Sequence, residues 1–149
     1  NWENLARVYQ SIMPFAQGSD NFAIQTYTQA IALDPVNPNL RISLGGVYYA
    51  LGRFDEAINA FQLATFAKPD LANAHYNLAI AYREKNEIKK ATEEINTVLT
   101  LVGKNTADYE TAIKELKNLE SLTPPAQAPA QVIKPPLKLP EEATPPAIQ

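Results

Sequence analysis

The only histidine of the 149-residue chain is His75, and there is no cysteine. A thiolate metal site and a disulfide framework are therefore excluded, and no metal-ligand spacing surrounds the lone imidazole. Paired carboxylates occur at Glu93-Glu94 and Glu141-Glu142. Sequence neighbours point apart on a helix or an extended chain, so neither pair converges on one reacting atom. Lys89-Lys90 is the same case with the opposite sign. No Gly-rich phosphate loop and no nucleophile elbow is present, so the expectation is a non-enzyme with no cofactor and no metal. Tyrosine and proline are abundant, with seven and twelve copies. Their chemistry is contact, because tyrosine faces stack on proline rings.

The elements that would position such contacts announce themselves by repetition. Ala23, Ala57 and Ala91 stand 34 residues apart, as do Pro35, Pro69 and Gly103, and the pair Tyr48 and Tyr82. A fixed period of this length marks a chain built from stacked units. With 46% apolar residues, the chain supports one compact domain or one short repeat array. It contains no apolar run of membrane-spanning length. A net charge of −3 without a basic stripe gives no sign of nucleic-acid binding.

Apolar or small residues at Trp2, Leu5, Ala6, Tyr9 and Ile12 recur at a period near 3.6 and predict a first helix, ended by Pro14. Gly18, Ser19 and Asp20 supply turn and N-cap chemistry for a second helix over about 20–33, with Ala23, Tyr27, Ala30 and Ile31 on its buried side. In the next unit Asn37-Pro38 opens a helix, Leu51-Gly52 closes it, and a partner helix runs from Phe54-Asp55 to Lys68-Pro69. The third unit reads as helices over 72–85 and 88–101, with Asn86 where its neighbour has glycine and Gly103 as terminator. A last amphipathic helix follows Asn105 to about Leu122, with Tyr109, Ile113, Leu116 and Leu119 on one face. From Pro124 onward lie eight of the twelve prolines, so residues 123–149 read as an extended, Pro-rich tail.

Trp2, Leu5, Ala6 and Tyr9, followed by Ala23, Tyr27, Ala30 and Pro35, resemble the tetratricopeptide repeat. Leu44, Gly45, Tyr48, Ala57, Phe61, Ala64 and Pro69 give a second copy, and Leu78, Ala79, Tyr82, Ala91, Ile95, Val98 and Gly103 a third. The first copy has five extra residues between Tyr9 and Ala23, and the third has glycine for the last proline. The resemblance implies an all-α helical-hairpin solenoid of about seven helices. Repeats would span about 1–37, 38–71 and 72–104, with a capping helix over 105–122. Small residues at Ala6, Gly45 and Ala79 would let paired helices approach, and stability would come from neighbour stacking.

In such arrays the first helix of each hairpin lines a concave groove. The resemblance places Asn39, Ile42 and Tyr49, then Asn73, Tyr76, Ile80 and Arg83, along it. Chaperone-binding members of the family hold a peptide's terminal carboxylate with a lysine, asparagine and arginine clamp. Here Glu3, Arg7, Ser43, Asn73 and Asn77 occupy those positions, so a chaperone-tail receptor is not expected. The apolar, tyrosine-bearing strip suits an extended Pro-rich peptide. Val132, Ile133, Pro135, Pro136, Leu137 and Leu139 of the chain's own tail form a candidate ligand, to be bound by the same molecule or by a neighbour.

The two ends of the array differ, with a cap at one and the first repeat open at the other. Trp2 and Leu5, with Tyr109, Ile113 and Leu116 at the far end, are the expected stacking surfaces. Either an upstream segment covers the open end or a second copy does, and head-to-tail stacking that does not close gives a filament. The expected function is a non-enzymatic interaction scaffold that self-assembles in this way with the tail docked on a neighbour. The alternative is the soluble end of a larger membrane or envelope protein that recruits a partner. Expected partners are a second copy of the chain or an extended Pro-rich peptide, with neither nucleic acid nor membrane insertion. The start at Asn1, the absence of cysteine and the Pro-rich tail favour an extracellular or cell-surface location.

Overall fold

The computed structural model describes residues 2–12 and 18–122. They form seven α-helices: α1 (Trp2–Ile12), α2 (Ser19–Leu33), α3 (Pro38–Ala50), α4 (Phe54–Ala67), α5 (Ala72–Glu84), α6 (Ile88–Leu101) and α7 (Ala107–Leu122). No strand occurs among the described residues. Consecutive helices pack on one another, and α3 also meets α5. Three hairpins, α1–α2, α3–α4 and α5–α6, stack in order, with α7 laid on the last.

Local chemistry sets most helix ends. The Asn37 side chain accepts the Asn39 amide at 3.1 Å, with Pro38 as the first helical residue, where its missing N–H costs nothing. Gly52 and Asn86 close α3 and α5 with φ of 70° and 59°, the left-handed geometry that glycine and asparagine tolerate. Their common spacing in the repeat therefore has a backbone cause. The Thr106 hydroxyl accepts the Tyr109 amide at 3.2 Å and opens α7. At α2 the expectation needs correcting. Its N-cap is Gly18, with φ 83° and no side-chain cap bond, while Ser19 lies inside the helix and is buried. The expected end of the first helix at Pro14 lies outside the described residues, as does the Pro-rich tail, including Val132, Ile133, Pro135, Pro136, Leu137 and Leu139.

The core divides in two along the array. Ala6, Ala23, Tyr27, Ala30, Leu40 and Val47 form one cluster. Ala57, Phe61, Leu78, Tyr82, Ala91, Ile95 and Val98 lead the other, which α7 joins through Ala112 and Leu119. Alanine at the crossings permits close approach, and Gly45 goes further, since a Cβ there would stand 2.5 Å from the Phe61 ring. The small-residue positions Ala6, Gly45 and Ala79 are all buried, as the repeat pattern requires.

The outer helices depart from their sequence patterns. Among the described side chains of α1 only Ala6 is buried, while Trp2, Leu5 and Val8 are 47%, 41% and 54% exposed. On α7 the buried residues are Ala112 and Leu119, and Tyr109, Ile113 and Leu116 are half-buried. Leu119 is buried as its place on the apolar face predicts, and Ala112, which the sequence reading did not single out, is enclosed with it.

Candidate functional site

One side of the array is lined by α3 and α5, with α7 along its far edge. Register explains which side chains meet there. Residues one period apart occupy equivalent places, so Asn39 pairs with Asn73, Ile42 with Tyr76, and Tyr49 with Arg83. Asn39 and Asn73 are exposed, while Ile42, Tyr49, Tyr76, Ile80 and Arg83 are half-buried. Ile42, Tyr49 and Tyr76 each rest one flank on the second core cluster. Between α3 and α5, Tyr49 and Ile80 border a shallow cleft with Gly46, Phe61 and Asn77. All seven expected residues therefore lie on α3 and α5, and the apolar ones serve packing and surface together.

A cavity of about 350 Å³ opens where α5, α6 and α7 meet, lined by Ala72, Asn73, Tyr76, Val98, Val102, Asp108 and Thr111. Its walls are mainly apolar and Asp108 is its one ionisable carboxylate. Farther along the same helices, Arg83 donates to Glu84 and to Glu115, each at 2.7 Å. Tyr49 reaches across from α3 and donates to Glu84 at 3.1 Å. The two carboxylates hold the Arg83 guanidinium well above the ordinary arginine range. The Arg83 bond holds Glu84 below the usual carboxylate range, with help from the Tyr49 hydroxyl. Burial raises Tyr49, and its bond to Glu84 adds to this. Burial also raises Tyr76, as does the charge of Glu115.

Arg83 is thus committed to two internal carboxylates and does not stand free to receive a ligand's carboxylate. Asp108, Glu84 and Glu115 against Arg83 leave this edge with a net negative charge. Sequence reasoning missed Asp108 and Glu115. Their signal was the α7 register, which does not belong to the repeat and is fixed only by packing. On the side of α3 that faces the first hairpin, Tyr27 donates to Gln10 at 3.0 Å, and the Gln10 amide lies close to Gly46.

His75 is no candidate base. Its Nδ1 faces Glu94 at 2.7 Å and its Nε2 faces the Pro69 carbonyl at 2.9 Å, so both ring nitrogens are committed to tying α5 to α6 and to the α4–α5 turn. Among the described residues, no group of three histidine, cysteine or acidic side chains converges to hold a metal ion. No described helix is long and apolar enough to cross a membrane.

Comparison with known proteins agrees with this architecture. A family model described as TPR repeat matches residues 14–52 and 45–86, and one described as Tetratricopeptide repeat matches 72–101. Tetratricopeptide repeat protein 36 of Caenorhabditis elegans is 33% identical over 100 residues, which are 65% of this chain and 56% of that protein. The chain thus spans little more than half of that relative. The second TPR domain of human RPAP3, solved in complex with an HSP70 peptide SGPTIEEVD, superposes with a TM-score of 0.67 at 20% identity. The match covers 80% of this chain and 92% of that one. The Yersinia enterocolitica type III secretion chaperone SycD, in complex with a peptide of the translocator YopD, gives 0.66 at 16% identity, covering 80% and 90%. At these identities the likeness is one of fold.

Proposed function

The chain belongs to the tetratricopeptide repeat family, and from that premise we propose that it is a non-enzymatic scaffold whose α3–α5 face binds an extended peptide. The observation that carries the reading is the strip of half-buried Ile42, Tyr49, Tyr76 and Ile80, open to solvent along two adjacent repeats and flanked by the amides Asn39, Asn73 and Asn77. Apolar and aromatic faces give an extended ligand contact area, and side-chain amides can pair with its backbone. Two similarly folded proteins were solved with peptides, which supports the class of ligand. An acidic tail such as SGPTIEEVD is a poor match for this face. Arg83 is already neutralised, and Glu84, Glu115 and Asp108 would repel it.

The test is to pan a random nonapeptide library against the folded chain and repeat the selection with Asn77→Arg. Enrichment of extended sequences that Asn77→Arg abolishes is the expected result. Failure to enrich anything, or enrichment blind to that substitution, overturns the reading.

A second reading, head-to-tail assembly, is favoured by a separate observation. Trp2, Leu5 and Val8 are exposed on α1, beyond which no further hairpin is described. At the other end Tyr109 and Ile113 border an open cleft with Lys104, Lys114 and Lys117. Apolar surfaces at both ends of a stack suit a heterologous contact. Sedimentation velocity over a concentration series tests this. The native chain should sediment faster as concentration rises, and a Leu5→Asp, Val8→Asp chain should not. Sedimentation of the native chain that does not change with concentration would contradict it.

A further inference from the structure

Resting on the peptide-binding reading, the geometry points to a specific occupant: the chain's own segment Lys134-Pro135-Pro136-Leu137-Lys138, laid in cis over the α5–α7 edge of the groove. The argument is a match of charge, shape and spacing. Asp108 and Glu115 both lie on α7, seven residues apart, which places them about 10.5 Å from each other along the helix axis. Asp108 lines the same cavity as Tyr76, and the charge of Glu115 helps to raise Tyr76, so both carboxylates lie near the tyrosine. In the tail, Lys134 and Lys138 are four residues apart, roughly 12 Å in a polyproline helix at ~3.1 Å per residue. Two prolines and a leucine stand between the lysines, and Tyr76 and the apolar cavity lie beside the carboxylates. Pro135 and Pro136 stack on the Tyr76 ring, Leu137 enters the cavity bounded by Val98 and Val102, and the lysines meet Glu115 and Asp108.

Charge supports the pairing. The segment from Val132 to Pro140 carries two lysines and no acid. Glu84, Glu115 and Asp108 outnumber Arg83 on the face that receives it. Connection permits it as well. The contact of Arg83 with Glu115, and the cavity shared by Asn73 and Asp108, show that α5 and α7 run in the same direction. The last residue of α7, Leu122, therefore lies beyond Glu115 at the same edge. The twelve residues from Leu122 to Lys134 reach about 37 Å, more than three times the distance back to Glu115. A tether of this length gives the segment an effective concentration of order mM. The groove of the native chain is then self-occupied, and an external peptide must displace the tail.

The absence of cysteine makes a direct test available in the full chain. Asn73→Cys, at the cavity mouth, is combined with Leu137→Cys and oxidised. Asn59→Cys with Leu137→Cys, placed on exposed α4, is the control. The expected result is an intramolecular disulfide in the first pair, monomeric by non-reducing electrophoresis and independent of protein concentration, with several-fold lower yield in the control. Equal yields in both pairs overturn the proposal, and disulfide-linked dimers overturn it in favour of docking on a neighbour.

The companion measurement titrates a fluorescein-labelled VIKPPLKLP peptide into the native chain and into the full chain bearing Lys134→Glu and Lys138→Glu. Release of the tail should tighten peptide binding at least tenfold. Equal affinity for both chains leaves the groove as a peptide site and removes the tail from it. Absence of binding to either chain counts against the segment as a ligand. If the library selection also fails, the peptide-binding reading falls with it.

Discussion

Gly45 has more structural consequence than its size suggests. A methyl group added there meets three ring atoms of Phe61 at 2.5 to 2.9 Å, and Phe61 is a core residue with little room to move. Alanine would gain up to about 1 kcal/mol in helix propensity, but overpacking costs about 1–3 kcal/mol. Gly45→Ala should therefore destabilise the chain by up to about 2 kcal/mol, read as a lower urea midpoint with an unchanged slope. This role was legible from sequence, since Gly45 holds the position that Ala6 and Ala79 hold in the other repeats. The Tyr49–Glu84–Arg83 network was not, because it joins residues about one period apart whose side chains meet only after the hairpins stack. Its pH signature is specific. Glu84 is held below the usual carboxylate range in the folded chain, so its contribution is complete above about pH 4.5 and is lost as pH falls through its folded value. Being largely solvated, it is worth at most about 1 kcal/mol. Glu84→Gln should lower Tm more at pH 7 than near pH 2. An equal drop at both pH values would place the effect in packing instead.

Among the helices, α7 shows where the sequence pattern ran out. Helices α2 to α6 inherit their buried faces from the 34-residue repeat, so Ala23, Ala57 and Ala91 could be placed by counting, and all three are fully buried. The last helix has no counterpart to copy. Its four regularly spaced apolar residues suggested one buried face, yet Ala112 and Leu119 are the ones enclosed. Ala112, which that spacing passed over, is enclosed, whereas Tyr109 and Ile113 are half-buried. Leu119 then closes the second core cluster. Leu119→Ala should cost about 2–5 kcal/mol through the cavity it leaves, whereas Ile113→Ala, half-exposed, should cost under half as much. Thermal denaturation of the two variants separates them, and similar losses would mean that α7 packs on its other face. At the opposite end, Ala6 is the one buried residue among the described side chains of α1, so amide hydrogen exchange should be faster in α1 than in α4 or α5.

For the molecule as a whole, the fold was legible because repetition supplies three aligned readings of one unit, each correcting the others. Groove position followed from the same register, which is why Asn39, Ile42, Tyr49, Asn73, Tyr76, Ile80 and Arg83 fall on two adjacent helices. The electrostatics of the groove could not be counted out in this way. They depend on α7 bringing Asp108 and Glu115 alongside α5, and they turn a face without a carboxylate clamp into one that favours basic ligands. The most direct test of the peptide-binding face is amide chemical-shift mapping by NMR on the chain bearing Lys134→Glu and Lys138→Glu, titrated with VIKPPLKLP. Perturbations concentrated on the α3–α5 strip at Tyr49, Asn73, Tyr76, Asn77 and Ile80 and on Val102, Asp108 and Glu115 beside it, saturating with one peptide per chain and lost in Asn77→Arg, are predicted. Perturbations confined to α2 and α4, or spread evenly without saturation, would contradict the account.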